Sequence, residues 1–310
     1  MRALLVVNPQ ATLTSARERD VLARALGSDL KVDLEETTHR GHAIELGARA
    51  TAEAYDLVVV LGGDGTINEV VNGLLGSGEW LGPSEDTPAL AVVPGGSTNV
   101  FSRALGISRD PVEATSELLE ALRTNSSRRI TMGRVNDRWF TFTAGVGLDA
   151  DAVRRVEKAR SKGKRATPSR YTVCAVTSYF AAEKHKPPLT LHIPGEEPIT
   201  GIYLGITSNT SPWTYFRSAP VVLSPNCTFE RGLDLVVRDR MGLVPTLWAA
   251  GGMLTGKGLR GRHSKAFQDL SEFTLTLDVP MHLEVDGDYL GLHEESLHLR
   301  AVPDAIRVIA

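Results

Sequence analysis

The stretch Leu57–Leu74, LVVVLGGDGTINEVVNGL, decides the fold. Its first five residues form an unbroken apolar run rich in valine, the composition of a strand buried on both faces. Gly62 and Gly63 follow at once, and Asp64, Gly65 and Thr66 continue the turn. Ile67, Val70, Val71 and Leu74 then recur at helical spacing. Strand, glycine turn and helix in this order make a phosphate site. Glycines let backbone N–H groups approach an oxyanion, and the positive end of the helix points at the same place. An acid inside such a loop repels phosphate unless a divalent cation lies between them, so Asp64 points to a nucleotide held with Mg2+. Neither common phosphate loop is present: no strand is followed by GxxxxGK[ST], and there is no GxGxxG. Gly251–Lys257 spells GxxxxGK, but Gly258 stands where a hydroxyl is needed, so that stretch reads as a helix-ending loop.

Outward from this core, Ala3–Val7 reads as a buried strand ending at Asn8-Pro9, at the strand end where open α/β sheets place ligands. Ser15–Leu26 is an amphipathic helix and Leu30–Glu36 a strand. Thr37-Thr38 opens a helix over Gly41–Ala54, which makes Thr38 the expected cap. A Gly/Ser-rich loop leads to the strand Ala89–Val93 and a second glycine turn, Pro94–Asn99. Two such turns can form opposite walls of one nucleotide cleft. Alternating strands and helices up to Arg129 specify a doubly wound α/β nucleotide-binding domain over residues 1–129.

Beyond Arg129 strands dominate: Arg129–Val135, Trp139–Ala144, Leu189–Ile193, Ile199–Thr207, Leu233–Arg238, Phe273–Val279 and His282–Val285. They predict an antiparallel, β-rich second domain over 130–292, interrupted by helices at Ala150–Arg160 and Tyr171–Glu183. A further apolar helix is expected at Met241–Lys257, followed by a basic loop, Arg260–Lys265. Ser296–Arg300 and Ile306–Ile309 read as closing strands within a tail over 293–310.

At 310 residues, two domains are the first expectation. The 42% hydrophobic and 23% charged content is that of an ordinary globular protein, and a net charge of -3 argues against a general nucleic-acid binder. Cys174 and Cys227 are too few for a disulfide framework or a zinc site. No apolar run reaches the ~20 residues of a membrane span. Met1-Arg2 leads straight into the first strand without a signal peptide, so a cytoplasmic location is expected. The eight histidines form no HExxH; His39 and His42 lie beside Thr38. Homodimerisation stays open.

The block GGDGTINEVVNGL resembles the signature of the diacylglycerol kinase catalytic family, soluble lipid kinases related to sphingosine kinases and more distantly to NAD kinases. Further blocks follow the family's order: VVNPQA at Val6–Ala11, TTHRGHAIELG at Thr37–Gly47, PGGSTNVFSRALGI at Pro94–Ile107, GVGLDADAV at Gly145–Val153 and EVDGDYLG at Glu284–Gly291. The resemblance implies a two-domain lipid-kinase/NAD-kinase-like architecture whose tail returns to the first domain. It implies transfer of the γ-phosphate of ATP, with Mg2+, to a lipid hydroxyl. Diacylglycerol is the leading acceptor, met by transient contact with a membrane surface. It places the nucleotide at Asn8, Pro9, Thr38, Gly62, Gly63, Asp64, Gly65, Thr66, Asn68, Glu69, Gly96, Ser97 and Thr98, and the metal at Asp64.

The family's general base sits in a DGE turn that aligns with Asp286-Gly287-Asp288. Asp288 is then the base and Asp64 its alternative; without the resemblance, Asp286-Gly287 reads as an ordinary hairpin turn. Besides Ala11 and Thr12, which stand where the family's NPxxG-like turn has a small residue and a glycine, three positions depart from the pattern. Val100 replaces an acid of the Mg2+–water network, Asp288 is one methylene shorter than Glu, and Arg231 precedes Gly232 where an acid completes a second metal site. That second metal is not expected. Two stretches are candidates for the lipid-facing rim: the cations Lys158, Arg160, Lys162, Lys164, Arg165 and Arg170, and the aromatic loop Ser208–Ser218. The alternatives are a kinase for a sphingoid base or for a soluble acceptor such as NAD, and a nucleotide-binding regulator without catalysis.

Overall fold

The computed structural model describes residues 1–12, 14, 16–80, 82–147, 150, 154, 188–216, 218–240, 251–259 and 261–310. The expected helices at 150–160 and 171–183, the cationic cluster at 158–170 and most of the helix at 241–257 lie outside these residues. The chain is mixed α/β and divides into two compact units. One comprises Met1–Met132, Asp137–Trp139 and Pro303–Ala310; the other comprises Gly133–Asn136 and Phe140–Val302. No helix among the described residues is long and apolar enough to cross a membrane.

The first unit begins β1 (Arg2–Val7), α1 (Ala16–Gly27), β2 (Lys31–Glu36), α2 (His42–Ala52), β3 (Leu57–Gly62) and α3 (Asp64–Leu75). It continues with β4 (Ala89–Pro94), α4 (Val100–Ala104), α5 (Pro111–Thr124), β5 (Arg128–Val135) and β6 (Arg138–Phe140). The strands β2-β1-β3-β4 pair in parallel in that order. Every residue of β3 and β4 is buried, as unbroken apolar runs require of strands covered on both faces. Ala3, Leu5, Leu57, Val59, Leu61, Ala91 and Val93 pack with Leu22 and Leu26 of α1 and Ala114 and Leu118 of α5.

Helices α2 and α3 pack against each other, crossing at two glycines. A Cβ on Gly47 would lie 2.6 Å from the Val70 carbonyl oxygen. One on Gly73 would lie 2.8 Å from Ala48 N and 2.9 Å from Gly47 Cα, and would overlap the Ile44 carbonyl. The backbones touch, so neither position has room for a methyl group.

The second unit contains β7 (Thr143–Gly147), β8 (Leu189–His192), β9 (Ile199–Ile202), β10 (Leu204–Ser208), β11 (Thr214–Phe216) and β12 (Ala219–Val221). It continues with β13 (Leu233–Arg238), β14 (Ser264–Leu270), β15 (Glu272–Leu277), β16 (Met281–Val285), β17 (Asp288–His293) and β18 (Leu297–Val308). A six-stranded sheet runs β14-β13-β10-β7-β16-β17, and β18-β15-β8-β9 pair in a second group. Both groups supply one core, in which Val146, Leu235 and Leu283 meet Leu191, Phe273, Leu275 and Leu299. The chain passes between the units within β5, before β6, within β6 and again within β18.

Several sequence boundaries differ from those expected. The strand expected at Trp139–Ala144 is two, β6 and β7, because the N–H groups of Thr141, Phe142 and Thr143 all turn to the Asp286 carboxylate. Ile199–Thr207 is also two strands, separated at Tyr203. The two closing strands are one, β18. Ser264–Lys265, expected in a basic loop, starts strand β14.

Candidate nucleotide and acidic sites

The strand order 2-1-3-4 reverses between β1 and β3, and ligands of open α/β sheets sit outside the carboxyl ends at such a reversal. There Asn8 N donates to the Leu61 carbonyl at 3.0 Å, and Asn8 Nδ2 donates to Thr66 Oγ1 at 2.9 Å. The end of β1 is thereby tied to the first turn of α3. Gly63 caps α3 with an extended backbone and no side-chain cap bond.

The two glycine turns are in contact: Gly95 N donates to the Gly62 carbonyl at 2.7 Å. A Cβ on Gly96 would lie 2.8 Å from Gly63 Cα, and one on Gly63 would lie 3.3 Å from Gly96 Cα. This corrects the expectation of opposite walls: the turns abut and form one floor. Ser97 is exposed on the second turn, with Thr98 half-buried beside it. Asn99 closes that turn, its Oδ1 accepting from Gly96 N at 2.9 Å and its Nδ2 donating to the Gly96 carbonyl at 2.7 Å.

Asp64 is half-buried, and its carboxylate accepts N–H from Val100 at 3.0 Å and from Phe101 at 3.1 Å. It therefore caps α4, whose own cap residue Asn99 makes no side-chain cap bond.

Two other motif residues are committed to bonds within the first unit. Asn68 is 2% exposed; its Nδ2 donates to the Trp139 carbonyl at 3.0 Å and its Oδ1 accepts from Arg138 Nη2 at 2.5 Å. Glu69 accepts N–H from Gly41 at 2.9 Å and from Ala43 at 3.3 Å, and so serves as the anion at the start of α2. The cap position of α2 is Gly41, at φ 88, and it makes no side-chain cap bond, which corrects the capping role expected of Thr38. The exposed Thr38 hydroxyl lies 2.9 Å from His39 Nδ1, and the imidazoles of His39 and His42 stack at 5.0 Å.

The acidic stretch of the second unit is a two-residue hairpin turn between β16 and β17, with Asp286 at φ 51 and Gly287 at φ 81. Asp286 is 6% exposed. Its carboxylate accepts from Thr141 N at 2.7 Å, Thr141 Oγ1 at 2.8 Å, Phe142 N at 2.9 Å and Thr143 N at 3.0 Å. Burial pushes this carboxyl up, and the four donors pull it back. Glu284, 1% exposed, accepts from Gly287 N at 2.9 Å and braces the turn from within. Asp288, half-buried, opens β17. Asp64 belongs to the first unit and Asp288 to the second.

Arg231 lies 3.3 Å from Asp269, whose other oxygen accepts from Gly232 N at 2.7 Å. The Gly232 N–H and the Arg231 guanidinium hold the Asp269 carboxyl below the usual range. Burial pushes the neighbouring Asp234 carboxyl and the Cys227 thiol up. Trp213, a candidate for the lipid-facing rim, is half-buried against Leu204, Ile206 and Val236, with its N–H donated to Thr143 Oγ1 at 3.2 Å.

Sequence reasoning missed Asn72, 8% exposed, whose side chain bonds the Trp139 backbone through both its ends, at 3.0 and 3.1 Å. Its spacing of four from Asn68 on one helix face was the available signal.

Known proteins resemble this chain in sequence and in fold. Residues 2–135 match the family model of the diacylglycerol kinase catalytic domain. A diacylglycerol kinase of Bacillus subtilis (strain 168) is 28% identical over 305 residues, covering 94% of this chain and 91% of the relative. A diacylglycerol kinase of Staphylococcus saprophyticus is 31% identical over 152 residues, 47% of this chain and 45% of the relative. A crystal structure from Bacillus anthracis str. Sterne superposes with a TM-score of 0.76 at 19% identity, covering 99% of this chain and 96% of that one; a likeness at that identity shows the fold. The match over the glycine turns and the near full-length likeness to a kinase agree, and the chain is a kinase that resembles the diacylglycerol kinases.

Proposed function

We propose that this kinase transfers the γ-phosphoryl group of ATP to a lipid hydroxyl at a membrane surface, turning diacylglycerol into phosphatidic acid. The observation that carries this reading is the contact of two glycine turns at the carboxyl ends of β3 and β4, beside Asn8 at the strand-order reversal. Backbone N–H groups of Gly63–Thr66 and Ser97, with the Ser97 hydroxyl, receive the phosphates. Asn8 and Pro9 line the same end of the sheet. Asn68 and Glu69 serve by positioning: one fixes α3, the other fixes the loop carrying Thr38.

The donor set fits a magnesium ion that arrives with the nucleotide. Among the described residues no three of His, Cys, Asp and Glu gather into a resident metal site. Asp64 supplies one carboxylate, and Mg2+ needs only one or two carboxylates besides phosphates and water. Bound there, the ion neutralises phosphate charge. In the transfer the lipid oxygen forms a bond to the γ-phosphorus, the bond to the β–γ bridging oxygen breaks, and ADP leaves. The hydroxyl proton passes to a carboxylate, for which Asp288 is the candidate base and Asp64 the alternative.

Labelled ATP incubated with diacylglycerol, sphingoid bases and NAD, with and without Mg2+, tests this reading. Label is expected in phosphatidic acid, dependent on Mg2+. ATP bound without transfer to any acceptor refutes it, and label in NAD replaces the acceptor.

A further inference from the structure

The loop between β2 and α2 is fixed at both ends by the first unit's own bonds. Thr37 N donates to the Val7 carbonyl at 2.8 Å, which sets Thr38 at the carboxyl end of β2, beside the end of β1 that leads into Asn8. At the other end, Glu69 of α3 accepts from Gly41 N and Ala43 N, on either side of His42. The half-buried His42 then reaches back along the loop, and Thr38 N donates to its Nδ1 at 3.2 Å. A backbone N–H can only donate, so this ring nitrogen is an acceptor and the ring's proton sits on Nε2.

Thr38 Oγ1 lies 3.3 Å from the same nitrogen and 2.9 Å from His39 Nδ1. The His39 ring stacks on that of His42 at an interplanar angle of 10°, and its Nε2 is 3.5 Å from Glu45 Oε1. A proton on His39 Nδ1 is donated to Thr38 Oγ1, which frees the hydroxyl's own proton for an anion. Thr38 itself is exposed. Glu69 already serves as the anion at the start of α2, so the helix does not require an imidazole at position 42. What His42 holds is Thr38.

We propose that His42 is a positioning residue for the nucleotide: its Nδ1 fixes the Thr38 amide and so aims the Thr38 hydroxyl at a phosphate oxygen of ATP. The inference rests on the reading of these strand ends as the nucleotide site, and the test separates the two. Full-length wild type, His42→Leu, His42→Asn, Thr38→Ala and the Thr38→Ala/His42→Leu pair are titrated with ATP and Mg2+ in a calorimeter, without any lipid acceptor. Leucine removes the acceptor at similar bulk, whereas the asparagine amide oxygen can stand where Nδ1 stands.

His42→Leu is expected to weaken ATP binding roughly fivefold, the effect of losing one neutral hydrogen bond, and His42→Asn to restore it. Thr38→Ala is expected to weaken it roughly 20-fold, because its lost bond is to a charged group. The pair should bind no more weakly than Thr38→Ala alone, since the imidazole acts through the hydroxyl. In the transfer assay the KM for ATP should rise in His42→Leu while kcat holds. Unchanged thermal midpoints show that the variants are folded. Wild-type affinity in His42→Leu, a His42→Asn protein as weak as His42→Leu, or losses that multiply in the pair overturns the proposal and leaves the nucleotide reading standing. Absence of ATP binding by wild type removes that reading, and the proposal with it.

Discussion

Asp286 and Asp288 are two residues apart and carry the same chemical group, yet their amides should fail in different ways. In Asp286→Asn the amide oxygen can keep Phe142 N and Thr143 N, which sit on one carboxylate oxygen. The amide nitrogen then replaces the oxygen that accepts from Thr141 N and Thr141 Oγ1. The hydroxyl can rotate and accept, but Thr141 N–H is left facing another donor, at a cost of about 1–3 kcal/mol for a buried unmet group. The other bonds fall from charge-assisted to neutral strength, together about another 2 kcal/mol. Removing a buried charge offsets part of this, so the net loss is about 3 kcal/mol. At roughly 2–4 °C per kcal/mol for a domain of this size, the melting temperature drops by roughly 6–12 °C. Asp288→Asn should reduce turnover about 10²–10⁴-fold if Asp288 is the base. Thermal melting followed by circular dichroism, run beside the labelled-ATP assay, separates the two. An Asp286→Asn protein that melts like wild type refutes the bracing role drawn from the four bonds. A fully active Asp288→Asn protein moves the base to Asp64.

Gly73→Ala drives a methyl group into the Ile44 carbonyl and against Gly47 Cα; separating α2 from α3 should cost about 3 kcal/mol, read as a lower melting temperature. Cys227 is 2% exposed and its thiol is pushed up by burial, so it is protonated at neutral pH. In a Cys174→Ser background it should react with a maleimide only after unfolding, and rapid labelling of the native chain would contradict that. Asp269, held low by Gly232 N–H and Arg231, contributes stability above the unfolded carboxylate value of about 3.9 and loses it as pH falls through the folded value. Acid unfolding of Asp269→Asn should lack that component; superimposable acid transitions would remove it.

The parallel sheet was legible because an apolar run between two turns leaves little choice: β3 and β4 lie where their valines put them. The glycine turns were legible as turns, but not as touching, since the approach of Gly96 to Gly63 depends on the pairing of β3 with β4 and not on either sequence. Asp64 shows the same limit. A carboxylate after two glycines signals an anion at a helix start, yet the helix it caps begins at Val100, thirty-six positions on. Glu69 likewise caps the helix before its own. In the second unit, the break between β6 and β7 had no local cause to detect, because an acid from β16's turn takes the N–H groups that would have continued the strand. Asp286-Gly287, by contrast, carried its turn type in two letters.

β18 is a strand with two memberships. Its last residues, from Pro303 onward, belong to the first unit, where Val308 pairs with Leu90 on β4. The ribosome therefore releases residues 1–132 long before the piece that completes their sheet exists, and the outer side of β4 waits through the synthesis of the whole second unit. A stop codon placed before Val308 leaves that edge open in the part of the molecule made first.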